Sequence, residues 1–313
     1  MRLTHSRAVL LMVLVALLWS IAGVVTRQLE SARSFEITFW RSAFTVLALC
    51  PALLWLRGPG LWRELRRGGW PLWLSGLCWA VMFTNFMIAI TLTTVATVLV
   101  TLAIAPLLTA LFARLFLRHR LPLRSWLAIA VAGAGIAWMF GRQAFGHGSP
   151  DATLTGALVA LFVPIAGATN WTLLQHLQQR QARDLTVQAP DMLPAVLLGA
   201  LLSALVTLPL SLPFSASASD LSWLALLGVV QLAIPCLMVV QLMKVLPAPE
   251  VSLIGLLEVI FGVLLAWVGA GEEPGSAALR GGTLVLGALL VNEWLALRER
   301  RRTTRAPAEP PLA

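Results

Sequence analysis

An all-α integral membrane fold of ten transmembrane helices, paired as two inverted five-helix repeats, is what this sequence predicts. Three observations carry that expectation. The 313 residues are 58% hydrophobic and only 12% charged, more apolar surface than one soluble core of that length can bury. The apolar residues fall into stretches close to the roughly 20 residues that a spanning helix needs. A shift of about 153 positions brings the first five stretches onto the last five.

The first stretch, 8–26, follows Arg2 and Arg7 and ends before Arg27. The second (35–56), third (70–90), fourth (94–116) and fifth (123–140) are separated by short basic or polar links. A polar segment, 141–153, divides the chain; beyond it lie 154–175, 191–212, 221–242, 247–270 and 280–297. Residues 1–145 and 146–300 are therefore expected as the two repeats, with 301–313 as a disordered tail, its end rich in Pro and Ala. The opening basic residues, with Ser20 and Ala22 ahead of Gly23, also resemble a cleavable signal. Retention is expected, because cleavage would remove the first helix of the first repeat.

The net charge of +9 does not describe a nucleic-acid surface, since the basic residues stand in clusters between apolar stretches. With the amino terminus in the cytoplasm, 18 of the 23 Lys and Arg residues fall inside. Four, Arg27, Arg33, Arg142 and Arg280, fall outside, and Arg41 stays within a helix. That asymmetry follows the positive-inside rule, and one helix more or fewer would scramble it. Both termini are expected in the cytoplasm, of a protein in the cell inner membrane.

The repeat shows at particular places. Arg27 falls on Arg180 and His119 on Glu272, while Trp19 meets Trp171, and Gly76 meets Gly228, to within one residue. Five helices per half, an odd number, oblige the second half to enter the membrane in the opposite sense. Inverted halves are a common construction of secondary carriers, whose site lies near the midplane between them.

Several chemistries are excluded. Lys244 is the only lysine and Val245 follows it, so no Walker A loop exists. His5, His119, His147 and His176 form no zinc-protease pattern, and Cys50, Cys78 and Cys236 show no pairing pattern. No cofactor, metal or nucleic-acid partner is expected; the expected partners are a small-molecule substrate and the lipid bilayer, with a monomer favoured over a homodimer. The chain is read as no enzyme. A membrane-embedded enzyme using a lone Glu258, or a pore or non-transporting subunit, are the alternatives.

An ionisable side chain at the centre of a bilayer helix costs about 2.5–3.5 kcal/mol on insertion scales, so it needs a partner or a role. Glu258 stands about eleven residues, or about 16 Å, into the ninth stretch. Gly255 and Gly262 share its face and invite close backbone approach. Glu258 is read either as a proton-exchanging or cation-binding carboxyl, or as an interior hydrogen-bonded group. Arg41, about six residues into the second stretch, either snorkels or bonds a carbonyl near the outer boundary, or meets a substrate carboxylate.

Asn85, Asn170 and Gln231 put amides at membrane depth, and Thr94, Thr97, Thr101, Ala105 and Thr109 form a small, polar stripe that packs helices or lines a cavity. Pro106 stands near the middle of the fourth stretch; Pro164 and Pro235 are expected to break the sixth and eighth near their centres. Trp19 and Trp171 lie away from the interfacial belt and either fill the core or wall a pocket. The candidate substrate site is thus Trp19, Arg41, Asn85, Thr101, Asn170, Trp171, Gln231 and Glu258, with no catalytic or metal-binding residues.

Leu17-Leu18-Trp19-Ser20 with Arg27, Trp40-Arg41, Ala105-Pro106 and Leu117-Arg118-His119-Arg120-Leu121 resemble the first half of EamA-type transporters of the drug/metabolite transporter superfamily. Leu257-Glu258-Val259 and the run from Leu265 to Glu272 repeat the theme. The resemblance spans nearly the whole chain. It implies an inner-membrane exporter of metabolites, amino acids or toxic amphipathic compounds. His119, where the family often has Glu, and Val259, where it often has Pro, depart from the pattern.

Overall fold

The computed structural model describes residues 4–117, isolated positions between 123 and 138, and residues 150–183, 191–246 and 248–305. Among the described residues the secondary structure is helical throughout. The helices are α1 (His5–Thr26), α2 (Ser34–Arg57), α3 (Gly60–Arg67), α4 (Gly69–Leu92), α5 (Val95–Leu102) and α6 (Ala105–Leu117). After the division come α7 (Pro150–Arg183), α8 (Leu193–Ser211) and α9 (Ala218–Leu226). A π-helical segment, Leu227–Ala233, leads into α10 (Ile234–Leu242), followed by α11 (Ala248–Gly255), α12 (Leu257–Ala270) and α13 (Ser276–Arg305).

Eight helical stretches among the described residues are long and apolar enough to cross a membrane, and each falls on an expected one. The fifth expected stretch lies largely outside the described residues, as do His119, His147 and Arg142. The tenth falls inside α13, which continues to Arg305, into the segment expected as tail. The outward surface is apolar, with Leu10, Leu47, Leu158, Phe162, Val206 and Val268 exposed, while Ser42, Thr45, Ser75, Asn170 and Ser203 are buried. A surface of this kind suits hydrocarbon as its solvent.

Small residues set how closely the helices meet. A Cβ on Gly228 would stand 2.6 Å from the Arg41 carbonyl oxygen, so the π segment lies directly on the α2 backbone. Gly76 of α4 abuts the Leu198 side chain of α8, and Gly262 of α12 abuts Leu99 of α5. Gly255 does not have the close neighbour expected of it: nothing described lies within 4 Å of its would-be Cβ.

α1 runs parallel to α11 and α12. His5 pairs with Glu250 at one end (3.0 Å), and Arg27 pairs with Glu272 at the other (2.8 Å). Gly271 ends α12 in the left-handed conformation (φ 65°), which turns Glu272 back toward the bundle. The Glu272 carboxylate also accepts from the Val95 N–H (2.7 Å), a donor at the amino end of α5 with no partner inside its own helix. The ends of three transmembrane stretches therefore meet at one carboxylate.

Asp220 makes a second tie on backbone donors. Its carboxylate accepts from the N–H groups of Glu30, Ser31 and Ala32 in the α1–α2 link and from Ser217 in its own cap. Glu36 takes the N–H groups of Ser215 and Ala216 from the opposite side. The two links are thereby held together across the two halves of the chain.

Two transmembrane helices are interrupted. The fourth breaks at Ala103 and Ile104, between α5 and α6, just before Pro106; at the second position of a helix, Pro removes an N–H that has no intrahelical acceptor. The ninth breaks at Leu256, between α11 and α12. The eighth, expected to break at Pro235, does not: it runs on from Ala218 to Leu242 and only widens into a π turn, Leu227–Ala233, ahead of the proline. The sixth does not break: α7 passes through Pro164 uninterrupted, contrary to expectation, since one lost backbone bond is tolerable in a long packed helix.

Candidate functional site

The interruptions surround a cavity of about 140 Å³. Met12 and Trp19 of α1 contribute to its wall, with Arg41 of α2, Trp79, Phe83 and Phe86 of α4, and Leu102 and Ala105 flanking the first break. Gly167 and Trp171 of α7, Gln231 of the π segment, Cys236 of α10, Gly255 of α11 and Glu258 of α12 complete its polar and small-residue surface.

Five of the eight expected substrate residues, Trp19, Arg41, Trp171, Gln231 and Glu258, therefore line one cavity although they come from five different helical elements. The other three are placed elsewhere. Thr101 is buried and donates to the Thr97 carbonyl (2.8 Å). Asn85 donates to the Val81 carbonyl of its own helix (2.9 Å). Asn170 is fully buried and accepts from Ser75 Oγ (2.6 Å), joining α7 to α4. None of the three is among the residues lining the cavity, and the buried Asn170 Nδ2 has no acceptor among the described residues.

Arg41 does not snorkel. Its side chain is 1% exposed, with Nη2 donating to the Phe83 carbonyl (2.6 Å) and Nη1 to Gln231 Oε1 (3.3 Å). Gln231 Nε2 in turn donates to the Trp19 carbonyl (3.3 Å). This relay joins α1, α2, α4 and the π segment, so the guanidinium is both held and aimed by its neighbours. It also lies 5.9 Å from the centroid of the Phe86 ring, within range of a cation–π contact.

The Glu258 carboxyl sits in the first turn of α12, directly after the second break. Among the described residues nothing donates a hydrogen bond to it, and no described Arg, Lys or His pairs with it. The wall therefore carries a fixed cation and an unneutralised acidic group on different helices, set in aromatic surroundings. Trp79 forms ring contacts with Phe83 (5.4 Å between centroids) and with Trp171 (5.4 Å, edge to face).

Sequence reading missed Trp79, Phe83 and Phe86. Their spacing of four and then three positions places all three on one face of α4, and that was the signal available. It was hidden because α4 is apolar around its whole circumference. The Thr stripe of the fourth stretch packs instead of lining the cavity: Thr97, Thr101 and Thr109 are buried, and Thr109 Oγ1 lies 3.2 Å from Ser252 Oγ. Among the described residues no cluster of His, Cys, Asp or Glu could hold a metal ion, and Cys50, Cys78 and Cys236 are all unpaired thiols.

A polytopic helical bundle enclosing a small, charged and aromatic cavity beside interrupted helices has the build of a membrane transporter of small molecules. The model of the EamA-like transporter family matches residues 6–141 and again 154–293, and the chain belongs to that family, within the drug/metabolite transporter superfamily. The match falls twice, so the chain carries two EamA repeats. An uncharacterized transporter of Pseudomonas aeruginosa is 29% identical over 130 residues, which cover 40% of this chain and 44% of that protein. The chain thus aligns with less than half the length of that curated relative. A protein of known crystal structure shares the fold with a TM-score of 0.65 at 22% identity, over 94% of this chain and 99% of the other.

Proposed function

We propose that this transporter exports small metabolites, amino acids or amphipathic compounds across the inner membrane by alternating access at the central cavity. The observation that carries the reading is the convergence of Trp19, Arg41, Trp171, Gln231 and Glu258 on that cavity. A site at the junction of broken helices frees backbone groups that must face protein or a wet space, the arrangement alternating-access carriers use.

Ten helices in two inverted repeats, residues 1–145 and 146–300, with both termini cytoplasmic, complete the proposed architecture. Two features support it. Leu102, before the first break, and Gly255, before the second, are 153 positions apart, the offset of the sequence repeat. Glu272 reaches the start of α5 while Ser252 meets Thr109 of α6, so the ninth transmembrane helix runs antiparallel to the fourth, its counterpart. Glu258 is the proposed proton-coupling group, and Arg41 the group that meets the acidic end of a substrate.

Metabolite profiling of medium and cytoplasm tests this, comparing cells that express wild type, Glu258→Gln or neither, with membrane levels of both proteins matched. The expected result is a compound that accumulates outside only with wild type. Equal profiles for wild type and Glu258→Gln would remove the required carboxyl from the reading. Profiles equal to those of empty cells would remove export.

A further inference from the structure

Among the described residues, the cavity wall contains two buried donors without acceptors. Arg41 uses Nη1 and Nη2 on Gln231 and Phe83, but no described group accepts from its Nε–H. Trp79 is 2% exposed, and no described group accepts from its indole Nε1–H. Each unsatisfied donor costs about 1–3 kcal/mol, so a protein with no use for them gains by pairing or deleting both. Phe at position 79 would keep a ring packed on Phe83 and Trp171 and would remove one of these costs.

We propose that Arg41 and Trp79 form a two-donor clamp for the acid group of a small substrate whose apolar body sits among the cavity's aromatic rings. This deepens the proposed export function, on which its biological meaning rests, and it adds Trp79 as a specificity-determining residue. Arg41 supplies the charge and Trp79 a second, neutral hydrogen bond; the partner they share is an acceptor such as a carboxylate. Both donors border α4: the Phe83 carbonyl holds Arg41, and the Phe83 ring packs at a tilt against Trp79 one turn away. Volume limits the body of the substrate: cavities near 150 Å³ hold about one benzene ring, and this one is about 140 Å³.

A site built to hydrogen-bond a polar group rejects an analogue lacking that group, because its own donors are then left unpaired. The probes are phenylacetate and benzoate, which carry the acid, and phenethylamine, which keeps the ring and lacks it. Each is titrated into purified full-length protein in detergent while the thermal unfolding midpoint is followed. Wild type is expected to be stabilised by the two acids. Trp79→Phe is expected to need about tenfold more of either acid for the same stabilisation, with its response to phenethylamine unchanged.

The clamp is overturned if neither acid stabilises the wild type, or if Trp79→Phe responds to the acids as wild type does. Should Trp79→Phe fail to fold, Arg41→Lys, which keeps the charge and drops the fork, provides the same comparison between acids and amine. Because binding is read without a membrane gradient, a protein that binds the acids yet exports nothing sinks the export reading and leaves the clamp standing.

Discussion

The two interrupted helices are alike in frame and unlike in chemistry. Counted by the offset of 153, Glu258 in α12 stands where α6 has Ala105, and both residues line the cavity. Arg41 likewise corresponds to Pro194, and Gln231 to Cys78. Contacts between helices follow the same pattern: Gly76 lies against α8 as its counterpart Gly228 lies against α2. Repetition accounts for the scaffold of both halves, whereas the charged groups of the site arose on one side of each correspondence. A cavity between two similar halves is thereby polar in a directional way, which a symmetric pore would not be.

Substitutions at corresponding positions should affect the two halves unequally. The largest difference is expected between Arg41→Ala and Pro194→Ala. Arg41→Ala deletes two charge-assisted hydrogen bonds, each worth about 1.5–3 kcal/mol, and should abolish export and lower the unfolding midpoint markedly. Pro194→Ala, in the first turn of α8, should change little. Export assays paired with thermal unfolding in detergent check both.

Gly228→Ala and Gly76→Ala should differ next. At Gly228 the new methyl meets the Arg41 carbonyl and the Thr45 amide nitrogen (3.0 Å), neither of which can rotate away, and a cost of about 1–3 kcal/mol is expected. At Gly76 its closest contacts, at 2.6 and 2.8 Å, are with Leu198 Cδ2 and Cγ, which can move with the rotamer, so the midpoint should fall by less. Equal losses at the two sites would contradict the packing described.

The smallest effects concern the two ends of the parallel pair formed by α1 with α11 and α12. Glu272→Gln loses the Arg27 ion pair and weakens the cap on Val95, whereas Glu250→Gln loses only a pair whose His5 side chain is 60% exposed. About 1 kcal/mol is expected for the first and less than about 0.5 kcal/mol for the second. Chemical denaturation of the two variants measures the difference.

Hydropathy made the eight transmembrane stretches of the described structure legible, because length and apolar content alone decide what can span a bilayer. Arg41, Gln231 and Glu258, singled out because each is polar within an apolar stretch, all reach the cavity wall. Direction around a helix was not legible. Asn85 and Thr101 turn back onto carbonyls of their own helices, and Asn170 meets Ser75. In lipid both the outer and the inner faces of a helix are apolar, so the hydrophobic period that orients a soluble helix is weak. Breaks were legible only in part: Pro106 marks one, Pro164 and Pro235 mark none, and Leu256 has no proline beside it.

Proton coupling at Glu258, proposed above, is tested in reconstituted vesicles. Using the compound identified by profiling, uptake driven by a pH gradient is compared with gradient-free exchange for wild type, Glu258→Gln and Ala105→Gln. Glu258→Gln is expected to lose gradient-driven uptake but keep exchange, while Ala105→Gln keeps both. Gradient-driven uptake by Glu258→Gln at the wild-type rate would contradict it.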